Sequence, residues 1–355
     1  MQRASKMSNK YVETVLGPVD SNKLGRVLTH EHLALDFDAF YVPPPEILQK
    51  FTSDIIDLQN IGIIKQYPYS NKYNIHFDDI DSANAVLEDV KFYKASGGGT
   101  IVENTSHGIK RNIQLMKKTS HESGVHVIVG TGHYVASTQS DSAMRKSEEE
   151  MFNLITNELT VGCYDCPSVK AGFIGEVGST WPIADFEKRA IRAAAHVQEQ
   201  LNCSVSFHPG RDVNAPFEIL RIYMEAGGDA KKAIMSHLDR TFARDDELLT
   251  FAELGSYCQY DLFGIECSYY QLDTKMDMPS DAQRIDKMRI LKEDGRLEKI
   301  LMSHDIHTKH RLMNFGGHGY AHIINNVLPK MLIKGFTKEE IDTITINNPK
   351  NWLTS

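Results

Sequence analysis

Apolar residues in this chain fall in short runs separated by longer amphipathic stretches. Short, nearly continuous apolar runs bounded by turn residues read as buried strands of a parallel sheet. Eight of them predict strands at 26–32, 99–104, 126–130, 171–175, 204–208, 233–237, 257–260 and 300–303. The stretches between read as helices. Residues 81–95 place Ala85, Leu87, Val90 and Phe92 at roughly helical spacing and stop before Gly97-Gly98-Gly99. Residues 185–201 are rich in Ala, Glu, Arg and Gln, all strong helix formers. A helix over 216–226 follows Asn214 as its cap and ends at Gly227-Gly228. Residues 281–291 and 338–345 are also helical, with Thr337 capping the second.

A sustained strand–helix alternation implies a parallel sheet. Eight repeats favour a closed (β/α)8 TIM barrel of the α/β class. The expectation is a single barrel domain over residues 1–355, with 1–10 a flexible tail. Residues 36–80 form an elaborated loop after the first strand, with a short helix near 45–57. No G-x-G-x-x-G follows the first strand, which argues against dinucleotide binding.

Composition narrows the function classes. The 355 residues are 41% hydrophobic and carry a net charge of -8, with no long basic block, so neither nucleic acid nor an anionic membrane is an expected partner. The five cysteines are odd in number and scattered, which speaks against a disulfide framework. Cys163-x-x-Cys166 stands without a second pair and reads as a loop with two reduced thiols. The first ten residues lack an apolar signal core and no stretch reaches the length of a membrane span, so a cytosolic protein is expected.

The candidate chemistry sits at the strand ends, where barrels of this class carry their active sites. Strand one ends in Thr29-His30-Glu31-His32. Side chains two apart share a face of a strand, so His30 and His32 project together, with Leu28 beneath them. Strand four delivers Glu176, strand five His208, strand six His237, and strand eight His304-Asp305. A lone histidine at a strand end is usually structural, and a lone aspartate often caps a helix. Imidazoles and carboxylates converging on one barrel mouth match a site for two divalent cations. Such a donor set without thiolate suits zinc, and also manganese, cobalt or iron.

With these segments the chain resembles the phosphotriesterase family of the amidohydrolase superfamily, from about Thr14 to Leu353. The resemblance also rests on Ser206-Phe207-His208-Pro209-Gly210-Arg211, Met235-Ser236-His237-Leu238-Asp239-Arg240 and Ser303-His304-Asp305-Ile306-His307-Thr308-Lys309. Tyr260-Asp261-Leu262-Phe263-Gly264, Gly316-Gly317-His318-Gly319-Tyr320 and Asn348-Pro349-Lys350-Asn351-Trp352-Leu353 extend it. It implies that His30, His32 and Asp305 hold a buried cation, that His208 and His237 hold a more exposed one, and that Glu176 bridges them. Bacterial members place a carbamylated lysine where this chain has Glu176; an animal subgroup has glutamate there. The departure weakens any inference of phosphotriester hydrolysis. Lys170, six residues earlier, should not reach the site. His304 faces away from Asp305 along the strand, where it either orients a neighbouring group or packs outward.

The chemistry so implied is attack on a carbonyl carbon by a hydroxide shared between two cations about 3.5–4 Å apart. Asp305 is the catalytic acid and base in turn. For the animal subgroup the implied substrate is N-acetyltaurine, with other N-acetyl amino acids beside it. A small anionic N-acetylated substrate needs a cation near the mouth. Arg211, Arg240 and Lys309 follow the ligand strands and are candidates; Tyr134, Tyr260 and His307 are candidate lining residues. A lactonase or phosphotriesterase using the same site is the competing reading. Asp261-Leu262-Phe263-Gly264 counts against the lactonase, because lactonases of this family carry Arg-Tyr-Gly after that aspartate. A non-catalytic binding protein predicts a damaged ligand set, and all six positions hold competent ligands. Related barrels often pair, so the resemblance allows a homodimer.

Overall fold

Val27, Val102, Ile128, Phe173, Ile234 and Leu301 each sit in a predicted strand, and all six pack into one small cluster. They fill the inside of a barrel. The computed structural model describes residues 10–53, 55–267 and 269–354. Apart from Lys10, the expected N-terminal tail lies outside the described residues.

The barrel strands are β1 (Arg26–Glu31), β2 (Gly98–Glu103), β3 (His126–Thr131), β4 (Phe173–Gly178), β5 (Val205–His208), β6 (Ala233–Met235), β7 (Tyr257–Tyr260) and β8 (Ile300–Met302). They form one 8-stranded sheet in sequential order, and every neighbouring pair is parallel. All eight coincide with predicted strands; β4 starts two residues later than expected because Ala171 and Gly172 lie outside the ladder. The alternate residues Leu28, Ile101, Val127, Val129, Ile174 and Val205 face outward into a larger core shared with the helices. The floor is closed by the chain ends: Val12 and Trp352 join the inner cluster, and the Trp352 indole donates to Lys232 O at 2.9 Å.

The helices Ile80–Ala95, Asp185–Leu201, Ala215–Glu225 and Asp281–Glu293 match their predictions closely. Thr337 caps Lys338–Asp342 in a full capping box with Glu340. Asn214 stands at the expected cap position, but its side chain turns to Asp212 instead of the helix. Helices at Ile113–Ser123, Glu148–Thr160 and Asp245–Ala252 complete the alternation and were not predicted. Inside the 36–80 excursion the expected helix is a 3-10 turn, Glu46–Phe51, and a regular helix follows only at Ile61–Gln66. An antiparallel pairing of Leu35–Asp36 with His76–Phe77 pins the excursion's base to the barrel rim.

The seam between β8 and β1 has no strand ladder. One backbone bond, from Asp305 N to His30 O at 3.1 Å, and a set of side-chain bonds close it. Glu31 Oε1 accepts from Ser303 Oγ, His304 N and His304 Nδ1 at 2.7–2.8 Å, and its Oε2 accepts from Ile306 N at 3.0 Å.

Candidate metal centre

Period-2 alternation alone does not bring His30 and Glu176 inward. Val27 lies in the inner cluster and Leu28 in the outer one, so simple alternation would send His30 outward. The pairing of β1 with β2 slips between Leu28 and Glu31, and this bulge reverses the phase. The expectation that Leu28 lies beneath the two histidines is therefore corrected: Leu28 packs on the outside of the barrel. A second slip, between Ile174 and Val177, turns Glu176 inward in the same way. His237 and Asp305 are re-aimed by backbone in the left-handed region, with φ of 58° and 54°. Such conformations are costly for residues with a Cβ and concentrate at functional sites.

These turns gather the six predicted ligands. His32 Nε2 lies 3.1 Å from Asp305 Oδ1, and His30 Nε2 lies 3.6 Å from the same oxygen. Glu176 presents Oε1 to His32 at 3.6 Å and Oε2 to His30 at 3.5 Å. The same Oε2 reaches His208 Nδ1 at 3.0 Å and His237 Nε2 at 3.8 Å. Four groups among the described residues have metal-ligand spacing: His30, His32 and Asp305; Glu176, His208 and His237; His30, His237 and Asp261, which overlaps the first two; and Glu158, Cys163 and Asp165, which shares no residue with them. His30 Nε2 is buried and has no hydrogen-bond partner. A fully buried imidazole nitrogen between two carboxylates, with nothing to bond, fits a divalent cation.

Electrostatics agree with that fit. Burial raises Glu176. Burial also works against the charge on Asp305, but the histidines around it, His307, His32 and His30, hold it well below the usual carboxylate range. Burial alone would depress His32, yet Asp305, Glu176 and Glu103 overcome it and lift it to about 9. Burial takes His30 down to about 4. The carboxylates thus favour positive charge between them.

An outer ring of hydrogen bonds orients the ligands. His237 Nδ1 meets Asp261 Oδ1 at 2.7 Å. His30 Nδ1 meets Ser236 Oγ at 3.1 Å. His32 Nδ1 meets Thr105 Oγ1 at 2.9 Å, and that hydroxyl donates to Glu103 at 2.7 Å. Tyr320 donates to His32 O at 2.6 Å. Arg311, fully buried, donates to the carbonyls of His304, Asp305 and Phe263, which fixes the left-handed Asp305 backbone. Sequence reasoning missed these roles. Asp261 alone carried a signal, as a carboxylate at a strand end beside the ligand set.

The cavity above the centre is narrow, with about 30 Å³ of free space, and is lined by all the predicted ligands except His30. Tyr134, Arg211, Arg240 and His307 line it as expected. Tyr134 packs edge-on against His208, with ring centroids 4.9 Å apart. His307 Nδ1 lies 3.3 Å from Asp305 Oδ2, and its Nε2 meets the Tyr69 hydroxyl at 3.2 Å. Two expectations fail. Tyr260 sits fully buried in the outer core, because its place on β7 points it toward the helices. Lys309 pairs with Asp79 and lies over the Tyr73 ring, which ties it to the excursion. Phe37, Tyr69 and Tyr270 line the cavity without having been predicted. Lys170 is exposed, and His304 bonds Glu31 and the Ile323 N–H.

The model of the phosphotriesterase family matches residues 10–353. The chain belongs to the phosphotriesterase family. Among curated relatives, the phosphotriesterase-related protein of Aedes aegypti is 54% identical over 349 residues, covering 96% of this chain and 98% of the relative. That of Drosophila erecta is 52% identical over 343 residues, with 96% and 98% covered. Among solved structures, a resiniferatoxin-binding protein from Rhodobacter sphaeroides superposes with a TM-score of 0.92 at 29% identity, over 97% of this chain and 95% of that one. An organophosphorus hydrolase from Deinococcus radiodurans shares the fold, with a TM-score of 0.77 at 21% identity over 99% of each chain. As a phosphotriesterase-family protein the chain is a hydrolase, and the two groups that hold the predicted ligands suit the pair of divalent cations typical of that family. No helix among the described residues is long and apolar enough to cross a membrane.

Proposed function

We propose that this protein is a two-cation amidohydrolase that cleaves N-acetyltaurine to taurine and acetate, and other N-acetyl amino acids by the same route. One observation carries the substrate class. Arg211 and Arg240 both line the cavity, and among the described residues neither has an ion-pair partner. Arg240 is 2% exposed, and its Nη1 has no hydrogen-bond partner. Burial and the neighbouring Arg211 charge both work against the charge on Arg240. Two guanidiniums in one cavity, neither of them paired with a carboxylate, call for an anion from outside. A sulfonate or carboxylate on the substrate meets that demand. A neutral lactone or phosphotriester would leave both cations unpaired.

When bound, a pair of divalent cations, zinc in this reading, acidifies water toward neutrality and polarises a carbonyl oxygen. His30, His32 and Asp305 would hold one, His208 and His237 the other, and Glu176 both. Asp305 takes the proton of the attacking water as the carbon–oxygen bond forms. It returns that proton to the leaving nitrogen as the carbon–nitrogen bond breaks. Its depressed proton affinity keeps it ionised before the water attacks. Phe37 and Tyr69 line the cavity and pack against His307.

The test is release of taurine from N-acetyltaurine by the zinc-loaded protein, read by mass spectrometry, beside a Glu176→Ala control. Release that vanishes in the control is expected. Release that survives in the control, or none from a protein shown to hold two cations, overturns the reading.

A further inference from the structure

His208 differs from the other candidate ligands in what stands behind it. Its Nδ1 faces the centre, 2.9 Å from His237 Nε2 and 3.0 Å from Glu176 Oε2. Its Nε2 faces Arg240 Nη2 at 3.4 Å. The Tyr134 hydroxyl lies 3.4 Å from both ring nitrogens, hence over the ring and not along an N–H direction. A neutral imidazole has one bare nitrogen and one N–H. Holding a cation through Nδ1 requires that nitrogen bare, which puts the hydrogen on Nε2. There it meets a guanidinium N–H, donor against donor, with a positive charge behind it. Ligand histidines ordinarily give their outer N–H to an acceptor. His237 has Asp261, His32 has Thr105 and His30 has Ser236. His208 has an arginine.

We propose that the outer cation and an anion bind as a linked pair: a sulfonate or carboxylate seated on Arg211 and Arg240 is required for tight binding of the cation between His208 and His237. An anion oxygen in that corner accepts from Arg240 and from the His208 Nε2–H together. It supplies the missing acceptor and cancels the charge that opposes the dication. Linkage makes the effect reciprocal, so the outer cation strengthens anion binding by the same factor. The inner position, on His30, His32 and Asp305, has its acceptors built in and fills without help. The complete centre therefore assembles on the substrate. This inference rests on the reading of the two arginines as the anion seat.

The test is calorimetric titration of the cation-free protein with zinc in a non-coordinating buffer, with and without ethanesulfonate, an unreactive probe of the seat. The expected result is one tight and one weak zinc without the anion, and a second zinc tightened about tenfold with it. In Arg240→Gln the second zinc binds equally well with and without ethanesulfonate. Circular dichroism checks that variant's fold; should it fail, Arg211→Gln takes its place and the wild-type titrations still decide. A second zinc indifferent to ethanesulfonate that does bind the protein overturns the linkage and leaves the anion seat standing. Absence of ethanesulfonate binding to the two-zinc protein overturns both.

Discussion

Asp305 combines a left-handed backbone, a fully buried carboxylate and three histidines as neighbours. Asparagine at this position keeps the shape and removes the proton acceptor. Asp305→Asn is expected to lower kcat for N-acetyltaurine by about 10²–10⁴-fold. Taurine release under saturating substrate measures it. At this scale the sequence exposed the ligands but not their supports. His30, His32, Glu176, His208, His237 and Asp305 stand at strand ends, where residue type is informative by itself. Glu31 has no role in the sequence pattern; its role depends on Ser303, 272 residues away, just past β8. Arg311 and Tyr320 lie in loops and act on backbone carbonyls that no residue pattern announces.

The barrel elements are closed and aimed by their irregularities. The strand pattern predicted eight strands in order, because apolar runs of the right length survive even where a bulge reverses their phase. The bulges were invisible for the same reason: both β1 and β4 are buried on both faces, so no polar–apolar alternation marks the slip. The consequence is an element-level prediction. In Glu31→Gln an amide N–H would face the Ile306 N–H, and one oxygen would have to serve the remaining donors of the seam. A loss of about 2–4 kcal/mol is expected, by analogy with breaking buried charged networks. Urea denaturation at neutral pH measures it. A loss below about 1 kcal/mol would mean that the seam does not depend on this carboxylate.

For the whole molecule, cation binding, protonation and stability are one linked system. His32 is lifted to about 9 by burial-resistant contacts with Asp305 and Glu176. A cation must displace that proton. Below pH about 9 the ring is protonated in the cation-free protein, so affinity falls about tenfold for each unit of acidification; above it the dependence flattens. Zinc titrations across that range, monitored against a competing chelator, should show this slope. A flat profile between pH 6 and 9 would contradict it. Bound cation also stabilises the fold by about 2.7 kcal/mol at a hundredfold excess over Kd, so a chelator should lower the thermal midpoint.

By itself the sequence predicted the barrel, the order of its strands and the strand-end residues that gather in the candidate metal centre. Those follow from local periodicity and from residue types at strand ends, which need no distant partner to be read. Only the tertiary structure decided which way each ligand points, what holds it and which cations reach the cavity. Tyr260 turned into the outer core, Lys309 was captured by Asp79, and Arg211 and Arg240 were left unpaired over the centre. Each of these outcomes is set by groups far apart in the chain. Bulges, left-handed turns and long-range hydrogen bonds are properties of pairings between segments, and no single segment encodes them.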